Sequence, residues 1–245
     1  MMERCTIIGV DCATDPKNVG LARGFWQKDR LQITDVTNGQ LDAYEEIISQ
    51  WISNSETCLL AMDAPLGWPQ GFGHTLASHS AGTPLRVESN QFFRRETDRF
   101  VQRRLGKVPL DVGADRIART ALSALQLLAI LSERISAAIP LAWDTEFSGI
   151  AAIEVYPAGT LKAGQVQSSA YKQPDQREAR QQLLKWLTKE ADLPEDLSLP
   201  LEDTDALDAM LCVLAGADFL AGKAYPPTDL ALAQKEGWIW IRKPL

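Results

Sequence analysis

Histidine is almost missing from this chain. Two occur in 245 residues, His74 and His79, both in a stretch rich in Gly, Pro and Ser. They lack the HExxH spacing of a metalloprotease and read as surface residues. Cysteine is scarce too. Cys5, Cys12, Cys58 and Cys212 lie far apart with no CxxC pair, which excludes a zinc or disulfide framework. Reduced thiols in a cytoplasm are the expectation. No long hydrophobic run is present: the most apolar stretch, 121–131, is interrupted by Gln126 and followed by Glu133 and Arg134. A membrane span needs about 20 apolar residues, so this is expected to be a buried helix. The phosphate-loop pattern GxxxxGK[ST] is absent. Gly (16) and Pro (13) are too few for a low-complexity chain. Positive charge is in deficit, with 25 Lys and Arg against 32 Asp and Glu and a net charge of −7. That argues against coating nucleic acid by bulk positive charge. It does not exclude a site whose own carboxylates lower the balance. Met-Met-Glu-Arg leads straight into a strand-like run, so no signal peptide is expected.

What is present is a patterned α/β chain, 45% hydrophobic and long enough to bury a large core. Residues 6–13 form an apolar, β-branched run and predict a buried strand. Residues 19–27 and 30–37 predict two antiparallel strands joined by a tight turn near Asp29. Residues 41–53 carry apolar positions at 41, 44, 47, 48, 51 and 52, an amphipathic helix. Residues 57–62 predict another buried strand, stopped by Pro65. The order β-β-β-α-β implies a mixed sheet. Residues 66–90 read as a loop, 91–107 as a basic helix and 114–138 as a long apolar helix. A strand over 150–156 follows, stopped by Pro157. Then come a helix over 175–190, an acidic loop over 192–203, a helix over 204–221 and a strand-like tail, 237–245. A single domain over 1–245 with a helical insertion at about 68–148 is the simplest organisation.

Three predicted strands share one design. Apolar runs end in Asp11, in Asp63 and in Glu154. Burying a lone carboxylate costs several kcal/mol or forces its protonation. One such acid is commonly a turn or cap residue; three are harder to dismiss. In open α/β sheets the crevice beyond the carboxyl ends of the strands is where sites form. Adjacent carboxylates repel, and hard ions such as Mg²⁺ or Mn²⁺ seek oxygen ligands. A fourth acidic feature, 203–209, opens a predicted helix. Asp205 and Asp208 are three apart and share a face. Capping explains Asp203 and Asp205 well. It explains Asp208, deeper in the helix, less well.

The chain resembles the predicted RNase H-like nucleases grouped as domain-of-unknown-function family 429. The matching pieces are Gly9-Val10-Asp11, Asp63-Ala64-Pro65-Leu66, 94–99 (Arg-Arg-Glu-Thr-Asp-Arg), Glu154-Val155-Tyr156-Pro157-Ala158, Tyr171-Lys172 with Arg177, and Asp205-Ala206-Leu207-Asp208-Ala209. They run in order along nearly the whole chain. The last helix also resembles the final catalytic helix of Holliday-junction resolvases. The family pattern has His before Asp205, where this chain has Thr204. The resemblance implies an RNase H-like α/β fold: a mixed five-stranded sheet with flanking helices and the helical insertion. It further implies that Asp11, Asp63 and Asp208, with Asp205, hold two metal ions, Mg²⁺ or Mn²⁺. Glu154 would be a further ligand or would support the ligands. Two ions about 3.5–4 Å apart activate water and stabilise the leaving oxygen of a phosphodiester. The implied activity is metal-dependent nuclease or phosphodiesterase chemistry on a nucleic acid.

Residues 94–119 hold eight basic residues against four acidic ones. Arg94, Arg95 and Arg99 are candidates to position phosphates, with Lys172 and Arg177 a second group; a solvated face with internal ion pairs is the alternative. Trp68 and Phe72 are placed to stack a base or to pack a loop. Rival classes are a catalytically inactive nucleic-acid-binding or regulatory protein on the same fold and an ATP-binding actin-like or sugar-kinase-like protein. The latter needs a duplicated fold and a second phosphate loop, and the chain has neither. A two-carboxylate glycosidase would want aromatics near its acids, and the seven tryptophans do not cluster there.

Overall fold

The computed structural model describes residues 4–39, 44–113, 115–166 and 170–243, with the backbone alone at Asp115. Five strands form one sheet: β1 (Cys5–Asp11), β2 (Gly20–Gln27), β3 (Arg30–Asn38), β4 (Cys58–Asp63) and β5 (Ile150–Glu154). Their spatial order is β3-β2-β1-β4-β5. The first three pair antiparallel, while β1–β4 and β4–β5 are parallel. This mixed sheet with flanking helices is the RNase H-like α/β arrangement.

The β2–β3 hairpin turns on Lys28 and Asp29, both at positive φ (50° and 59°). That is the two-residue turn whose twist matches paired strands. Helix α1 (Tyr44–Ser53) follows, and its Ile48 and Ile52 are buried. Leu41, the first apolar position of the expected helix, lies outside the described residues.

Four helices separate β4 from β5: α2 (Gln70–Ala77), α3 (Ser89–Phe93), α4 (Glu96–Leu105) and α5 (Asp115–Ile135). Two expectations change here. The 66–90 loop contains α2. The helix expected over 91–107 is broken at Arg94 and Arg95, both extended, and Asp98 accepts the Arg95 N–H at 2.9 Å to start α4 afresh. Phe72 packs on Phe92 and Phe93, with ring centres 5.0 and 6.2 Å apart.

After β5 come α6 (Pro157–Ala163), α7 (Arg177–Leu187), α8 (Ser198–Glu202), α9 (Thr204–Leu220) and α10 (Leu230–Glu236). Helix α8 lies within the expected 192–203 loop.

The sheet has a buried core on each face. Ile7, Leu59, Ala61 and Ile153 join α9 in one; Ile8, Val10, Leu60, Met62 and Ala152 join α1 and α5 in the other. Helix α9 is buried on every side from Ala206 to Phe219, as expected of a helix apolar all round. It lies on bare backbone: a Cβ at Gly9 would stand 2.1 Å from the Ala209 carbonyl oxygen, and one at Gly20 1.9 Å from that of Asp205.

The segment after α10 packs over this layer, but only as isolated bridges, Glu154 with Ile239 and Ala224 with Arg242. The tail is therefore not the strand its composition suggests. The Trp240 N–H donates to the Glu154 carbonyl at 3.0 Å and the Ile239 N–H to Thr97 Oγ1 at 2.8 Å. The Glu236 carboxylate accepts the N–H groups of Gln70 (2.8 Å) and Glu96 (2.7 Å). No described helix is long and apolar enough to cross a membrane.

Candidate active site

Asp11 and Asp63 are the final residues of β1 and β4, and they are register partners. Side chains alternate faces along a strand, so both follow Ile7, Gly9, Leu59 and Ala61 onto the α9 face. Strand spacing of about 4.8 Å sets the two carboxylates side by side. Gly9 and Gly20 let α9 settle onto the sheet, and its first turns carry Asp205 and Asp208 to the same edge. Asp208 is fully buried and Asp11 is 9% exposed, while Asp63 and Asp205 are half-buried.

Their surroundings differ. The carboxylates of Asp11 and Asp63 make no hydrogen bond and no ion-pair contact among the described residues. Asp208 Oδ1 accepts from the Tyr171 hydroxyl at 2.6 Å. Asp208 Oδ2 meets the Lys172 ammonium but accepts no well-aligned hydrogen bond. The Lys172 side chain remains 56% exposed even as its ammonium meets Asp208.

The charges act on one another. Burial, then Asp208 and Asp63, raise the Asp11 carboxyl well above its ordinary range, with Lys172 opposing. Burial and Asp208 push Asp63 up to about 8. Burial raises Asp208 while Lys172 and Tyr171 hold it down. Burial and Asp203 raise Asp205. Burial would lower Lys172, but Asp208, Asp11 and Asp63 raise it. Burial, with Asp63 adding to it, moves Tyr156 up to about 12.

The cap of α9 is Asp203, which accepts the N–H groups of Asp205 (2.9 Å) and Ala206 (3.1 Å). Capping therefore accounts for Asp203 and leaves Asp205 and Asp208 for the cluster.

Glu154 stands apart from the acids on the α9 face, although its charge adds to the rise of Asp63. Its partner in register is Met62, so strand alternation sends it to the face opposite Asp63. It is 4% exposed and is gripped by Arg95, with Nη1 on Oε2 and Nη2 on Oε1, both at 2.7 Å. The Leu66 N–H adds a third bond at 3.0 Å. Burial raises its carboxyl and Arg95 opposes the rise.

The expected phosphate-positioning arginines are engaged with protein partners. Arg95 is 1% exposed, and Asp98, Glu154 and the Glu236 carbonyl take its guanidinium. It cannot meet a substrate. Arg94 pairs with Asp111 at 2.7 Å; Arg99 pairs with Glu96 at 3.0 Å and donates to the Arg94 and Asn90 carbonyls. Arg177 pairs with Glu202 on the surface. Of the five expected substrate-binding cations, Lys172 alone contacts a cluster acid.

Tyr171 was unassigned by residue-level reasoning; its place beside Lys172 in a family motif was its one signal. Among the described residues, no set of three or more His, Cys, Asp or Glu side chains converges as a preformed metal cage. The donor chemistry nonetheless suits a hard cation: Asp11 is a buried oxygen donor with no protein partner, beside Asp63 in the same condition.

The fold and this edge define an RNase H-like α/β protein with acids gathered at the carboxyl ends of β1 and β4 and the start of α9. More particularly, the chain belongs to the family described as protein of unknown function (DUF429), whose profile matches residues 9–231 and so spans every acid of the cluster. Comparison with curated proteins and with solved structures returned no match.

Proposed function

We propose that this protein is a divalent-cation-dependent phosphodiesterase that acts on nucleic acid. One observation carries the reading: Asp11, Asp63 and Asp208 lie together with a single ammonium, Lys172, against them. Such an excess of buried negative charge is unfavourable unless protons or cations offset it. Asp11 and Asp63 would hold Mg²⁺ or Mn²⁺, with Asp208 and Asp205 at hand. When bound, such an ion lowers the pKa of water and polarises a phosphoryl oxygen. The chain's own residues keep the acids in place: Tyr171 and Lys172 orient Asp208, and the α9 contact with β1 holds it at the strand ends.

The test is calorimetric titration of wild type and Asp11→Asn with Mn²⁺ or Mg²⁺. It is followed by cleavage assays on single-stranded, duplex, hybrid and branched nucleic acids. Wild-type binding, weakened at least tenfold in the variant and tracked by cleavage, is expected. Binding without cleavage of any substrate would move the activity to another phosphoester. Absence of binding by wild type, even with nucleic acid present, would overturn the proposal in favour of an inactive binding protein.

A further inference from the structure

The resemblance implies two ions; the pairing of charges at this edge favours a different division. We propose that the site takes one divalent cation, between Asp11 and Asp63, and that the Lys172 ammonium stands where a second cation would otherwise sit, on Asp208. This rests on the functional reading above.

The two halves of the cluster are unlike. The carboxylate of Asp11, a residue nine-tenths buried, has no hydrogen bond or ion pair among the described residues, and neither has that of its register partner Asp63. Like charges directly opposite on adjacent strands destabilise a sheet, so this pair needs a proton or a cation between its carboxylates, and a divalent cation serves both at once. Asp208 already has protein partners: the Tyr171 hydroxyl donates to one oxygen and the Lys172 ammonium lies against the other.

The turn that supplies both partners is itself clamped. Arg180, 2% exposed, donates to the carbonyls of Tyr171 (2.9 Å), Gln173 (2.8 Å), Pro174 (3.2 Å) and Leu201 (2.7 Å). A turn held by three of these bonds and tied to α8 by the fourth delivers Lys172 to one place, as a fixed ligand position requires. The charges in direct contact then balance: Asp11, Asp63 and Asp208 with one ammonium and one divalent ion sum to zero, and Asp205 beside them adds one negative charge. A second divalent ion beside Lys172 would leave an excess of positive charge among these groups.

The experiment is Mn²⁺ titration of wild type, Asp63→Asn, Asp208→Asn, Lys172→Met and Lys172→Gln by calorimetry and electron paramagnetic resonance. Thermal melts of each variant check that it is folded. One ion per wild-type chain is expected, with affinity falling at least tenfold in Asp63→Asn. A second ion is expected in both Lys172 variants, seen as a stoichiometry of two and as spin coupling between manganese ions. Two ions in wild type would overturn the inference and leave the phosphodiesterase reading standing. So would one ion that survives Asp63→Asn and is lost in Asp208→Asn, or Lys172 variants that still take a single ion. No binding by any folded form would overturn both.

Discussion

Gly9 lies so close beneath Ala209 that a Cβ on it would stand 2.1 Å from the Ala209 carbonyl oxygen. Backbone faces backbone there, and neither side chain nor solvent separates β1 from α9. Gly9→Ala is expected to push the helix away and cost about 2 kcal/mol, within the range for overpacking. For a chain of this size that lowers Tm by about 4–8 °C. Gly73, in α2, has nothing within 4 Å of its added Cβ. Gly73→Ala should leave Tm unchanged or raise it slightly, because alanine favours helix. Thermal unfolding of both variants checks the contrast.

Arg95 holds together Asp98, Glu154 and the Glu236 carbonyl, all out of water. Arg95→Met would strand two buried carboxylates, at a cost of about 3–5 kcal/mol. Arg103, more than half exposed and paired with Glu96, should cost under about 1 kcal/mol when replaced by Met. Urea unfolding distinguishes the two.

Metal-free protein should lose stability as pH rises. Asp63 keeps its proton in the folded state up to about 8, while in the unfolded chain it releases it in the ordinary carboxyl range. Between those limits the native state binds more protons, so unfolding free energy falls with increasing pH. Tm measured in EDTA at pH 5, 6.5 and 8 should decline, and Asp63→Asn should flatten the slope. A Tm that rises equally across this range in both proteins would contradict the burial of Asp63's charge.

Cysteine reactivity offers a check on the core. Burial pushes Cys5 up to about 12 and raises Cys58 and Cys212 further from reach. These three thiols should resist a disulfide reagent at pH 8 for as long as the protein stays folded. All four should react in denaturant, where an ordinary thiol of pKa about 8.5 is partly ionised.

Much of this architecture was legible in advance, and the exceptions have physical causes. The strands ending at Asp11 and Asp63 are apolar, short and bounded by turn residues, so their acids stood out. Asp208 stood out because capping needs no acid so deep in a helix. Glu154 had the same local signature as the other two acids. Its face depends on its register against Met62, which is a relation between strands and not a property of either segment. Arg95 looked solvent-facing because a continuous helix was assumed; the break before Glu96 turned it inward. Tyr171 and Lys172 sit in a turn, where no periodicity says what a side chain will meet. Helices α2 and α8 are short and lie in stretches whose Gly, Pro and Ser content reads as loop.

Glu236 and the residues after it bind partners made far earlier, with Gln70 166 positions away and Thr97 142 positions from Ile239. Asp208 likewise reaches the edge built by β1 and β4 from the distant α9. Synthesis runs from the amino end and domains tend to fold as units. On the ribosome, therefore, Asp11 and Asp63 are synthesised long before the groups that flank them. A nascent chain halted before residue 204 would carry the acid pair without Asp208, and without the helix that seals the sheet beneath it. Completion of the acid cluster and burial of that sheet face would arrive in the same late step of biosynthesis, so a half-made chain would expose its core while the cluster is still unfinished.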